Sequence, residues 1–207
     1  MQFDPKEASS KDIYGLMISA IVPRPIAFIS TQSAQGITNV APFSYFNGVS
    51  SKPPLLSVSI GHRRWEGQLI KKDTLRNIEE TKEFVVNIVN EALLPAMNAS
   101  AAEYPPDISE LEALQLETLP SLKIKPPRVK LSPIQLECKL ERVIMLGEPA
   151  MNGLVIGEVV CIHIDDEIWD AAHSTIDPEK LRPVARLGGT LYSTLGQIIS
   201  LPRPDWK

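Results

Sequence analysis

The chain has 207 residues, of which 43% are hydrophobic, and a formal net charge of -4 with a pI near 5.5. Lys and Arg do not outnumber the acids, which argues against a broad nucleic-acid footprint. No apolar run approaches the roughly 20 residues of a membrane helix, and the first residues, MQFDPKEASSKD, do not resemble a secretory leader; no membrane partner and a cytoplasmic location are expected.

Taken in order, Ser10 to Ala20 is expected to form a short helix capped by Ser9 or Ser10, with Ile13, Leu16 and Met17 as its apolar stripe. Pro23 and Pro25 end it and hand over to a first strand, Ile26 to Thr31. Gly36 closes a turn, and Ile37 to Asn47 returns as a second strand. A third runs from Leu55 to Ile60, with Leu56, Val58 and Ile60 on one face and Ser57 and Ser59 on the other. The stretch from Gly61 is basic first and then helical, with Asp73 or Thr74 as N-cap and a helix ending near Lys82.

Phe84 to Val89 is a fourth strand, Leu93 to Ala102 a helix, and Ser109 with Glu112 starts another. Leu116 to Pro133 is a long connection whose apolar residues are expected to cover a surface, of a partner subunit among others. Ile134 to Leu146 alternates cleanly as a half-exposed strand. Asn152-Gly153 signals a turn before a last strand, Leu154 to Ile164. If these two strands pair about Pro149, Cys138 and Cys161 stand opposite each other; buried free thiols are the simpler expectation. The tail carries RLGGTLYS, with the flexibility of a closing loop. Consecutive strands without βα alternation predict a mainly β fold, an antiparallel barrel or sandwich with helical insertions.

No nucleophile elbow, HExxH, Walker loop or GxGxxG is present. His163-Ile-Asp165 is a poor ligand pair, and no metal site is expected. What remains suits an anionic, partly aromatic ligand. Asp73 and Thr74 start a helix whose free N–H groups favour phosphate, with Lys71 and Lys72 before it. Arg24, Thr31, Asn39, Ser44, Ser57 and Ser59 add small or charged donors from three neighbouring strands. Each alone has a plain structural use: a capped helix, an outer strand face, a turn. Together they match what FMN asks for, and a flavin needs no side-chain nucleophile.

The motifs PRPIAFIST, NVAPFSYFNGVSSKPPLLSVSI, KKDTLRNIEETKEFVVNIV, QLECKL, GEVVCIHID and RLGGTLY, in this order, resemble the flavin reductase-like, FMN-binding split-barrel family, flavoredoxin-type proteins among them. The resemblance runs from about Val22 to Tyr192 and implies one domain over residues 1–207. It implies a six-stranded antiparallel split β-barrel, a homodimer, and FMN near the subunit interface. It further implies FMN contacts from Arg24, Pro25, Ile26 and Thr31, from Asn39, Val40, Ala41, Pro42 and Ser44, and from Ser57 and Ser59. Lys72, Asp73 and Thr74 would sit at the phosphate end, and Arg186, Gly188, Gly189 and Tyr192 near the site. The expected activity is hydride transfer from NAD(P)H to FMN and onward electron transfer. The alternative is an FMN-binding electron carrier that does not use NAD(P)H.

Overall fold

The computed structural model describes residues 1–105, 107–149 and 151–206. A first helix, α1 (Ser10–Ala20), is capped by Ser9, whose hydroxyl accepts from the Asp12 N–H at 3.1 Å. It leaves Tyr14, Leu16 and Met17 exposed. Strands β1 (Ala27–Gln32) and β2 (Thr38–Phe43) form the expected hairpin about Gly36, which sits at φ 90°, where a Cβ would be strained. The expected second strand is in fact two. After β2 the chain leaves the ladder at Ser44 and Tyr45 and resumes as β3 (Phe46–Ser51), which pairs instead with β4 (Pro54–Trp65).

Strand β4 is twice as long as expected and takes in Gly61 to Trp65. Its basic end turns through Glu66 and Gly67, both at positive φ, into β5 (Gln68–Lys71). Two consecutive positive φ angles match the right-handed twist of a hairpin. Helix α2 (Asp73–Thr81) follows, then β6 (Glu83–Ile88), α3 (Leu94–Ala99) and α4 (Glu110–Ala113). The long hairpin β7 (Ile134–Leu146) and β8 (Asn152–Ile164) turns after Leu146, through residues 147–149, so Asn152 and Gly153 lie inside β8 rather than in the turn. A bulge pairs Cys138 with Val159 and Cys161 with Glu137, so the two cysteines are not opposite each other.

The ladder order is β2-β1-β6-β7-β8-β4-β3, antiparallel throughout, with β5 appended to β4. Side chains from both ends of this order meet in one interior. Ala27, Ile29 and Phe43 touch the same cluster as Leu56, Val58, Ile60, Phe84, Val86, Cys138 and Val155. A sheet whose opposite ends share a core has curled into a barrel, with seven strands on that path, β5 outside it, and a split between β2 and β3. Leu75 and Ile78 of α2 fill the same interior. A second cluster outside the barrel joins Ile26, Phe28 and Val40 to Leu93, Met97, Leu111, Val129 and Val184.

The 116–133 connection docks on its own chain through the buried Ile124 and Val129, while Leu122 and Leu131 stay exposed. Asn87 Oδ1 accepts from the Val129 N–H at 2.9 Å, and Ser132 Oγ donates to Ile88 O at 2.8 Å. The RLGG stretch is a turn between two short strands, Ala185–Arg186 and Tyr192–Ser193, which pair with each other and with Arg24–Pro25. Among the described residues, no helix is long and apolar enough to cross a membrane.

The barrel leaves no room at Gly157, where an added Cβ would stand 2.4 Å from Phe84 Cζ, itself fully buried. Gly157→Ala is therefore expected to cost about 1–3 kcal/mol. Gly48→Ala, with nothing within 4 Å, is the control for the loss of a strand glycine. Urea midpoints of the two variants check this; equal midpoints would contradict it.

Candidate flavin site

The predicted residues fall into separate groups. The first lines a cavity of about 390 Å³ between the β2–β3 break, α1, α3 and the RLGG turn. Arg24, Ile26, Pro42, Ser44, Arg186, Gly189 and Tyr192 are on its wall. Sequence reasoning missed Tyr14, Ile18, Met97 and Asn98, which also line it. These lie on helices whose placement only the fold decides. Gly188 is just outside, pressed against Ser19, with room for no side chain.

Arg24 is 5% exposed and already occupied. Its guanidinium donates to Ser44 Oγ at 3.3 Å, Ile21 O at 2.6 Å, Leu187 O at 2.9 Å, and Ile18 O. Two of those carbonyls belong to the C-terminal turn of α1, where a cation is favoured. Arg24 thus rivets three walls of the cavity together and has little left to offer a ligand. Arg186 is positioned differently. It lies over the Tyr192 ring at 4.4 Å, a cation–π distance, and Tyr192 OH donates to Asn98 Oδ1 at 3.0 Å.

The second group is the amino end of α2. Lys72 is the N-cap and Asp73 the first helical residue, in place of the expected Asp73 or Thr74 cap, and no side chain caps the helix. Lys72 Nζ lies 5.5 Å from the centre of Phe43, a residue of the cavity wall. Arg63 reaches in from the extended β4. Its Nη1 donates to Tyr104 O at 3.0 Å, and Nη2 is 2.8 Å from Asp73 Oδ2. That ion pair is close but out of hydrogen-bond alignment, so Arg63 Nε and Nη2 are buried donors with no hydrogen-bond partner. Burial, and then the charge of Arg63, pull the Lys72 ammonium below the usual lysine range, with Glu103 acting against them.

The third group is buried and hydrogen-bonded to itself. Thr31, Asn39 and Thr74 are buried in one polar network with Asn77 and Glu110. Asn39 Nδ2 donates to both Glu110 carboxylate oxygens at 2.8 and 2.9 Å, and Thr74 Oγ1 donates to Asn39 Oδ1 at 2.9 Å. Asn77 Nδ2 donates to Thr31 Oγ1 at 3.1 Å. The Val40 N–H is taken by Glu110 at 3.1 Å. Burial pushes the Glu110 carboxyl up, against the pull of its own backbone N–H, that of Val40, and the Asn39 amide.

The remaining predicted residues stand elsewhere. Ala41 packs toward the barrel interior. Pro25 lines a separate apolar recess with Pro183 and Leu195. Ser57 and Ser59 occupy the outer face of β4, opposite Ile156 and Leu154, and do not line the cavity.

A cavity with apolar and aromatic walls, joined at Phe43 to a cationic, uncapped helix end with orphaned donors, fits a flat ligand bearing an anion. Residues 18–176 match the model of the flavin reductase like domain. This chain belongs to that family. Membership carries a flavin-related redox role. The chain is 42% identical over 206 residues to the uncharacterized protein YwrF of Bacillus subtilis, covering 98% of each. Among solved structures it is similar to nitrilotriacetate monooxygenase component B from Bacillus cereus, with 40% identity, TM-score 0.91, and 97% and 98% of the two chains covered. It is also similar to Pseudomonas fluorescens 2-nitrobenzoate 2-nitroreductase NbaA, with 31% identity, TM-score 0.88, and 99% and 96% covered. The family's split barrel is the fold described above.

Removing the Thr74 hydroxyl leaves Asn39 Oδ1 with only the long 3.4 Å contact from Thr31. Thr74→Ala should therefore lower stability by about 1–3 kcal/mol, while Thr74→Ser, which keeps the donor, retains most of it. Chemical denaturation of the ligand-free variants decides; an unaffected Thr74→Ala would remove the network from the fold's support.

Proposed function

We propose that this protein is an FMN-dependent oxidoreductase that takes hydride from NADH or NADPH and passes electrons to a free flavin, oxygen or a partner protein. The observation that carries the proposal is the junction at Phe43 of the cavity with the Arg63–Lys72 end of α2, where buried guanidinium donors lack partners. FMN supplies the hydride chemistry itself when bound. The chain's own residues bind and orient.

The Lys72 ammonium, the Arg63 guanidinium and the free N–H groups of the first turn of α2 would hold the phosphate. Asp73 opposes an anion there, but Arg63 and Arg76 stand 2.8 and 2.7 Å from its carboxylate and offset it. Pro42 and Ser44, at the end of β2, and Tyr192, on the RLGG side, would flank the ring system. Met97 and Ile18 exclude water from its apolar face. Arg186, half-buried over Tyr192, would be the cation that receives a nicotinamide nucleotide.

A homodimer working in the cytoplasm belongs to the same proposal. Its support is exposed apolar surface on the β7–β8 tip (Ile144, Met145, Leu146) and along the tail (Leu191, Leu195, Ile198, Ile199).

The direct test is anaerobic titration of the FMN-loaded protein with NADH and NADPH, followed by flavin absorbance. Reduction by either is expected. Reduction by a ferredoxin-type donor alone would make the protein an electron carrier instead. Lys72→Ala should weaken FMN binding at least about tenfold, the worth of one charge-assisted hydrogen bond, without the stability loss of Thr74→Ala. Fluorescence titration reads this, and unchanged affinity would place the phosphate elsewhere.

The pH dependence has a definite sign. An anion binds the protonated ammonium, so affinity is full below the Lys72 value and falls as pH rises through it. Because burial lowers that value, the fall should begin at lower pH than an ordinary lysine allows, and Lys72→Arg should move it beyond the alkaline range. A flat alkaline profile in the unaltered protein would contradict this.

A further inference from the structure

Away from the flavin site, the β7–β8 hairpin brings three ligand-bearing side chains together. Cys161 and His163 are two apart on β8 and so share a face. Glu137 of β7 is the ladder partner of Cys161. Cys161 Sγ lies 3.6 Å from His163 Nε2, and the same nitrogen lies 2.6 Å from Glu137 Oε1. One ligand atom from each residue falls within 4.8 Å of the others. The sequence pointed away from a metal site because it pairs His163 with Asp165; the fold pairs it with residues on two strands.

We propose that Glu137, Cys161 and His163 form a binding site for a tetrahedral divalent cation of the zinc type. A thiolate, an imidazole and a carboxylate are the ligands such an ion prefers, and with a neutral imidazole their charge of minus two matches it. Metal bonds of about 2.3 Å to sulfur and 2.0 Å to nitrogen, set near the tetrahedral angle, separate the two ligand atoms by about 3.5 Å. The Cys161–His163 separation of 3.6 Å is already there. The Glu137–His163 contact is a hydrogen bond, and it opens by several tenths of an ångström as the cation replaces the proton between them. Binding thus releases the Cys161 thiol proton, while the neutral His163 imidazole coordinates through Nε2 and carries its one proton on Nδ1.

The carboxylate is set in advance. Glu137 is fully buried, and its two oxygens accept from the Leu122 and Lys123 N–H groups, each at 2.7 Å. Those bonds are the outer support that a ligating carboxylate needs. Cys161 and His163 are half-buried, which leaves a way in and a fourth position for water. The bonds from Leu122 and Lys123 also tie the site to the 116–133 connection, so an ion here would clamp that connection to the sheet. Without metal, Glu137 and His163 would serve that purpose alone and the thiol would be idle. Participation of Cys161 therefore separates the two cases. Cys138 does not confuse the test, because it lies on the opposite face inside the barrel.

Co²⁺ titrated into the metal-free full-length protein provides the experiment. Expected is one equivalent bound, with a thiolate-to-cobalt charge-transfer band and tetrahedral visible bands, all displaced by Zn²⁺. Cys161→Ser should abolish the charge-transfer band, and His163→Gln should weaken Co²⁺ binding by at least about tenfold. Both substitutions fall on half-buried residues, and circular dichroism confirms that the variants fold. The absence of a charge-transfer band at equimolar Co²⁺, or the same band in Cys161→Ser, would overturn the proposal.

Discussion

The buried hydrogen bonds between Asn39 and Glu110 organise the region where function resides. Glu110 begins a one-turn helix, yet its carboxylate is 6% exposed. A charge in that position is costly unless its oxygens are filled. Asn39 Nδ2 donates to both of them, and the Val40 N–H adds a donor from the backbone of β2. The amide oxygen of Asn39 then accepts from Thr74 in the first turn of α2. One side chain therefore fixes the height of α2 against β2. Asn39 holds the cationic end of that helix beside Phe43, a residue of the cavity wall, while its own amide is taken up by Glu110 and Thr74. A half-satisfied network of this kind would be worse than an apolar contact, which makes its members interdependent.

The sequence was readable where one periodicity ruled. The alternation of Ile134 to Leu140 marked β7 correctly, and the caps at Ser9 and Ser109 marked the starts of α1 and α4. It was not readable where tertiary contacts overrode local signals. Gly61 to Trp65 reads as a basic stretch, yet Gly61 pairs with Asn152 of β8 and β5 offers His62 to Trp65 a ladder, so it becomes strand. Asn152-Gly153 has turn chemistry, but Gly153 is needed in β8 because Leu75 and Val143 leave no room for a side chain.

The same limit divided the site residues. A one-dimensional pattern cannot say which polar groups satisfy one another, so Thr31, Asn39, Ser57 and Ser59 are expected together at the ligand. Thr31, Asn39 and Thr74 satisfy one another. Ser57 and Ser59 face outward because Leu56, Val58 and Ile60 take the interior, and the alternation of β4 allows nothing else. Arg63 was readable only as part of a basic pair with Arg64. Alternation along β4 separates the two, leaving Arg64 in solvent and turning Arg63 toward Asp73.

Arg24 and Arg63 show how one residue type serves two purposes within a single site. Arg24 is surrounded by carbonyl oxygens and a hydroxyl in the plane of its fork, so its charge is spent on holding α1, Ser44 and the RLGG turn together. Arg63 has a carboxylate at ion-pair distance but out of line, an aromatic ring at 4.9 Å, and two donors unfilled. A buried guanidinium left this way is unfavourable in the ligand-free protein. Lys72 beside it is unfavourable for the same reason, being desolvated and next to a like charge. An anion between them relieves both at once, because it supplies acceptors to the orphaned donors and opposite charge to the ammonium. Under the proposed phosphate site that cost would be converted into affinity, whereas Arg24, whose donors are filled, carries none of it and holds the walls together.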